Sequence, residues 1–91
     1  MTEFLVECFA SRSDAAAVAD GSEAARQAAE VMVGEGTDVR FLRPIFVPDD
    51  ETCFYLYEAS SAQAVREAAT RAGLVFDRVA EAAVITRGEG T

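Results

Sequence analysis

Two runs rich in β-branched and aromatic residues, Val39–Val47 and Cys53–Glu58, flank one short polar segment, Pro-Asp-Asp-Glu-Thr. Such a pair predicts a hairpin whose loop is longer than two residues. Pro44 falls in the middle of the first run. Proline cannot donate to a ladder, so this strand is expected at a sheet edge or beside a bulge. The stretch 38–59 sits mid-chain with a helical pattern on each side, and the rest of the fold is arranged around it.

Glu3–Phe9 reads as the first strand. Alternation sets Phe4, Val6 and Cys8 on one side and Leu5, Glu7 and Phe9 on the other. The alanine-rich segment Asp14–Val33 follows, with Ala25, Ala28, Ala29 and Met32 on one helical stripe. Gly21 interrupts it. The pattern predicts a short first turn and then a main helix from Ser22 to Val33, capped by Ser22 and ended by Gly34 and Gly36. After the hairpin, Ser60 and Gln63 predict a capping box opening a second helix, which presents Val65, Ala68, Ala69 and Ala72 inward and stops at Gly73. Asp77 and Arg78 then lead into a last strand, Val79–Thr86. Residues 1–86 are expected to form one domain, and 87–91 a flexible tail.

The order strand, helix, strand, strand, helix, strand is the split pattern of ferredoxin-like α+β domains. The expectation is a βαββαβ two-layer sandwich with a four-stranded antiparallel-type sheet. Its first and third strands are expected in the centre, parallel to each other, with the second and fourth at the edges and both helices on one face. Leu5, Phe54 and Leu56 are assigned to the helix side. Phe4, Val6, Cys8, Cys53, Tyr55 and Tyr57 are then expected on the open side. An apolar sheet face is costly to leave in water, so a back-to-back homodimer is predicted, with the tyrosines near the joint.

Acidic residues outnumber basic ones 16 to 8, all basic residues are arginine, and the formal charge is −8. Such a surface repels phosphate backbones and anionic lipid, which argues against nucleic-acid and membrane partners. No apolar run has membrane-spanning length, and the first residues lack the basic-then-apolar pattern of a secretory signal. With only two cysteines, this reads as a reduced, cytoplasmic protein.

Histidine is absent, which removes the commonest general base and metal ligand, and with it every Ser-His-Asp or Cys-His arrangement. Glu7 and Glu58, at the ends of strands expected side by side, have two readings: a carboxylate pair able to share a proton or a hard metal, or partners of the positive ends of the following helices. Asp49, Asp50 and Glu51 read as a solvated hairpin tip. Cys8 and Cys53 share the expected open face but fall at opposite ends of parallel strands. They are either small buried hydrophobes or, through a two-fold axis, one half each of a soft-metal site suited to nickel, copper or zinc. Arg40 and Arg43 are expected on opposite faces, pairing with surface carboxylates.

The chain also resembles a family of small bacterial ferredoxin-like proteins of unassigned function. The matching words are Phe-Leu-Val-Glu at 4–7, Glu-Gly-Thr-Asp-Val-Arg-Phe-Leu-Arg at 35–43, Phe-Val-Pro at 46–48 and Asp-Glu-Thr-Cys-Phe at 50–54. They continue with Ala-Val-Arg-Glu-Ala at 64–68, Arg-Ala-Gly-Leu at 71–74 and Phe-Asp-Arg-Val at 76–79. The resemblance implies dimers and, from one branch whose label has spread to the group, nickel binding. Relatives often carry a second cysteine two residues after the one matched by Cys53, where this chain has Tyr55, and often arginine where it has Cys8.

Three functions are therefore expected to compete. The first is a non-catalytic homodimer binding nickel or another soft metal through Cys53, Tyr55 and Cys8, with Tyr57, Glu7 and Glu58 toward a ligand. The second is a small oxygenase or isomerase using Glu7, Glu58 and the tyrosines in a cleft. The third is a regulatory module that docks on another protein.

Overall fold

The computed structural model describes residues 1–83 and residue 85. Its elements follow the expected order: β1 (Thr2–Phe9), α1 (Ala15–Gly34), β2 (Val39–Val47), one short helical turn (Pro48–Asp50), β3 (Thr52–Ala59), α2 (Ala62–Arg71) and β4 (Phe76–Ala82). The strands lie in the order β2-β3-β1-β4, and every neighbouring pair is antiparallel. This is the expected ferredoxin-like sandwich. Pro44 is on an edge strand, two residues from an irregularity between Phe41 and Arg43, as a missing N–H requires.

Four local expectations are corrected. First, β1 and β3 are central but antiparallel, because α1 carries the chain across to β2 and the tight hairpin then reverses it. Second, α1 runs unbroken through Gly21. The cap is Asp14, whose carboxylate accepts from the Ala17 N–H at 3.1 Å, while the Ser22 hydroxyl bonds back to the Val18 carbonyl at 2.9 Å. Third, α2 is capped by Ser61, accepting from Ala64 N–H at 3.2 Å, one residue later than the predicted Ser60–Gln63 box. Fourth, β4 begins at Phe76, so Asp77 and Arg78 belong to the strand. Thr86 and the expected tail 87–91 lie outside the described residues.

The helix stops agree with the sequence. Gly36 (φ +97°) and Gly73 (φ +79°) adopt the left-handed conformation that ends each helix. At the hairpin tip Glu51 is also left-handed, and its side chain accepts from the Arg12 N–H at 3.3 Å.

The two faces of the sheet are the reverse of the expectation. Phe4, Val6, Cys8, Cys53, Tyr55 and Tyr57 are all buried and pack with Val18, Ala25, Ala29 and Met32 of α1 and Val65, Ala68 and Ala69 of α2. The helices therefore cover the tyrosine-bearing side, and the predicted place of the tyrosines at a dimer joint is wrong. The open face carries Leu5, Glu7, Phe54, Leu56 and Glu58. The irregularity at Leu42 also breaks the alternation of β2. Arg40 lies opposite Glu58 and Arg43 opposite Leu56, so the two arginines share the open face instead of opposing each other.

Candidate functional site

Antiparallel register decides what the covered face brings together. Cys8 of β1 lies directly opposite Cys53 of β3. Directly opposed residues in such a ladder hold their Cβ atoms about 4.5–5.5 Å apart. The expectation that one chain keeps the two cysteines too far apart is overturned, and so is the idea that a two-fold axis joins them between chains, because both are buried beneath the helices.

The row continues across the sheet. Phe46 of β2 faces Cys53 from one side, and Phe76 of β4 faces Cys8 from the other. Tyr55 stands in the next row, opposite Val6. The thiol pair is thus bracketed by two phenyl rings, with a phenol beside it.

A pocket of about 470 Å³ opens at this end of the sandwich. Cys8 and Tyr55 form its inner wall, α1 contributes Val18 and Gly21, the α2–β4 loop contributes Leu74, and Asp14 and Asp20 sit at its rim. The volume is within the range of small-ligand sites. Gly21 is part of this construction. A Cβ there would fall well inside contact distance of the Tyr55 hydroxyl and at 3.4 Å from Leu74. Glycine inside a helix costs about 1 kcal/mol relative to alanine. Here it opens the space that the Tyr55 hydroxyl occupies against the helix.

Burial shapes the chemistry of these groups. Desolvation pushes the Cys8 thiol up to about 11, and the nearby Cys53, Asp77 and Glu7 add to this. Cys53 is also raised by burial, while hydrogen bonding from Tyr55 and from the Ile45 backbone works the other way. Tyr55 and Tyr57 are both held protonated, chiefly by burial. At neutral pH the site rests as two thiols and two phenols. The Tyr57 hydroxyl is fully buried with no hydrogen-bond partner among the described residues, and Tyr57 does not line the pocket.

Glu7 and Glu58 do not line the pocket. With β1 and β3 antiparallel, Glu7 lies opposite Phe54 and Glu58 opposite Glu3. Both carboxylates are on the open face, Glu7 paired with Arg78 at 2.7 Å and Glu58 with Arg40 at 3.0 Å. The structure therefore brings Cys8, Cys53 and Tyr55 together, and it places Tyr57 deeper in the core and the two glutamates on the other side of the sheet.

Reading the sequence alone missed Gly21, Phe46 and Phe76 as walls of the site. The signal that could have found the phenylalanines is the antiparallel pairing itself, since the ferredoxin-like order requires it and the register then sets Phe46, Cys53, Cys8 and Phe76 in one row.

The protein-family comparison matches residues 8–82 to the family described as nickel responsive protein SCO4226-like. No curated protein sequence matches the chain. Among solved structures, the crystal structure of SCO4226 from Streptomyces coelicolor A3(2) superposes with a TM-score of 0.71 at 21% identity, covering 92% of this chain and 99% of that one. At that identity the likeness speaks for the fold. The donor set here does not fit nickel. Histidine is absent, and among the described residues no group of three or more His, Cys, Asp or Glu side chains could hold a metal. Two thiols and a phenol fall short of the four or more donors of square-planar or octahedral sites. The family match spans most of the chain, and the chain belongs to the SCO4226-like family of nickel-responsive proteins.

Proposed function

We propose that this chain is a binding protein rather than a catalyst, and that it takes a soft metal ion at Cys8, Cys53 and Tyr55, entering by the pocket that Cys8 and Tyr55 border. One observation carries the reading: Cys8 stands at the wall of a pocket of about 470 Å³ and faces Cys53, fully buried behind it, across the ladder. Thiolates select soft ions. The acid–base alternative loses its support, because neither Glu7 nor Glu58 lines the pocket and each is held by an arginine. Nickel is the ion that the family name brings forward, and the donor count of one chain argues against its tight retention.

The test is a thermal-melt series with nickel, zinc, silver and copper salts under reducing conditions, on protein made without a histidine tag. A soft ion should raise the melting temperature of the native chain and leave Cys8→Ser and Cys53→Ser unmoved. A series in which no ion shifts the native chain removes the reading.

The working unit is a cytoplasmic homodimer joined through the open face. Leu5 and Phe54, with Ile45 of the edge strand, form an apolar strip around the already buried Leu56, between the charge pairs Glu7–Arg78 and Arg40–Glu58. A second copy covers such a strip and meets its own charges in two-fold arrangement. Sedimentation should give twice the 9.7 kDa chain mass, and Phe54→Glu should return it to the single-chain value with the fold intact.

A further inference from the structure

The pocket at the Cys8 end of the sandwich carries a pattern of charge that a soft metal ion does not use. Among the described residues, the charged side chains lining it are both aspartates, Asp14 and Asp20, and no arginine reaches it. Asp14 already places its own carboxylate at the N-terminus of α1, where an anion would otherwise be held. Val18, Ala24, Ala72 and Leu74 make an apolar middle. Phe9 and Val75, 71% and 90% exposed, add apolar groups at the mouth. Tyr55 supplies a polar group within. It is only 4% exposed, and its hydroxyl lies against Gly21, the neighbour of Asp20 on α1. Burial keeps this phenol protonated. Among the described residues, no N–H or O–H donates to its oxygen. A ligand N–H is what that lone pair lacks.

We propose that this pocket binds a small primary amine with an apolar, ring-sized body, whose ammonium group donates to the Asp20 carboxylate and the Tyr55 hydroxyl oxygen. The inference goes beyond the metal reading and does not depend on it, because the Cys8 thiol enters only as neutral wall. Charge decides the ligand class. A primary alkylamine is protonated at neutral pH, as lysine is, and a chain of formal charge −8 draws it in. A carboxylate or phosphate of the same size meets two aspartates and no countercharge. A wholly apolar molecule leaves the Tyr55 oxygen unpaired, and a polyamine loses the hydration of its further charges in the apolar middle. The volume of about 470 Å³ admits a ring with a short aliphatic arm.

The experiment is an amide NMR titration of the reduced native full chain, at low salt with a metal chelator present, using three matched probes: phenethylamine, phenethyl alcohol and phenylacetate. Phenethylamine should give saturable shifts centred on Gly21, Tyr55 and Leu74. Phenethyl alcohol should bind at the same place about fivefold more weakly, the effect of losing one exposed ion pair, and phenylacetate should not bind. Asp20→Asn changes an exposed residue and leaves the core untouched. It should weaken the amine by about fivefold and leave the alcohol unchanged. Tyr55→Phe should weaken both by about fivefold, the share of one hydrogen bond. The three probes on the native chain need no variant, so the proposal stays exposed even if Tyr55→Phe disturbs the core. Equal binding of amine and alcohol overturns it, as does phenylacetate binding as well as the amine. Amine shifts centred elsewhere, no amine binding, or an unchanged amine affinity in Asp20→Asn also overturn it. Metal is excluded from this titration, so its failure removes the amine site alone, and a flat melt series with metal salts removes the metal reading alone.

Discussion

The two faces of the one sheet are built from the same strands and differ in every other respect. The covered face of β1 and β3 carries Phe4, Val6, Cys8, Cys53, Tyr55 and Tyr57, all buried and without a formal charge. The open face carries Leu5, Phe54 and Leu56 among Glu3, Glu7 and Glu58, with Arg40, Arg43 and Arg78 from the edge strands. Pairing Glu7 with Arg78 and Glu58 with Arg40 satisfies charge at the surface. No such remedy exists beneath a helix layer, where an isolated charge is far too costly. Reactive groups follow the same division. Thiols and phenols tolerate burial as neutral species, and the fold has gathered them on the dry side.

The largest test of this contrast is a matched pair of truncations on β3. Tyr57→Ala removes a fully buried aromatic side chain and should cost about 3–5 kcal/mol. Phe54→Ala, three residues earlier on the opposite face, removes a half-buried ring and should cost about 1–2 kcal/mol. Urea melts of the two variants give the comparison, and equal losses would mean that both faces are covered.

How far this was legible in the sequence depends on the element. Strand order and both hairpin strands follow from β-branched and aromatic runs, Pro44 and the glycine stops, because these act locally. Alternation also separates the two sets of side chains correctly. It does not say which set the helices cover, and greasiness misled: Leu5, Phe54 and Leu56 look like core. The better signal was charge. Glu3, Glu7 and Glu58 share their strand face with those residues, while the tyrosine set has no charged member. A second error followed from strand direction. Taking β1 and β3 as parallel separated the cysteines and joined the glutamates, and the antiparallel register does the opposite. Gly21 was read as a break for a related reason. Helix propensity sees only the missing side chain, whereas Tyr55, distant in sequence, supplies the reason for it.

Gly21→Ala sharpens that point. Helix propensity alone would make it stabilising by about 1 kcal/mol. Overpacking against Tyr55 typically costs about 1–3 kcal/mol, so the variant should be destabilised by about 1–2 kcal/mol. It should also distort the pocket enough to alter the alkylation rate of Cys8. Combining it with Tyr55→Phe, which removes the clashing hydroxyl, should restore most of the loss. No recovery in the double variant would place the strain elsewhere.

The dry face should also set the response to alkali. In the unfolded chain Cys8 ionises near 9.0, and in the folded chain near 11. Between those values the unfolded state gives up a proton that the folded state keeps. Stability is therefore unaffected below about pH 9 and falls as pH rises toward 11, by about 2 kcal/mol from this thiol. Cys53, Tyr55 and Tyr57 are raised in the same sense and steepen the decline. Cys8→Ala should flatten the first part of the curve, measured as urea midpoint against pH from about 8 to 11, roughly the window set by linkage. An unchanged slope would mean that Cys8 is in contact with water.

The smallest effect expected is the most specific. Tyr57→Phe deletes one oxygen from the centre of the covered face and leaves the ring. A buried hydroxyl is normally hydrogen-bonded, and removing it then costs about 1 kcal/mol or more. Here the Tyr57 hydroxyl has no partner among the described residues, so the folded state already bears its desolvation without return. Its removal should leave stability within about 1 kcal/mol of the native chain, on the neutral to stabilising side. Tyr55→Phe, which empties the space the hydroxyl fills against Gly21, should instead be mildly destabilising. The same deletion at two positions of one strand face thus takes opposite signs. If both variants lose stability equally, the covered face holds a partner for Tyr57, and the division between a dry layer and a charged one is less complete than the register implies.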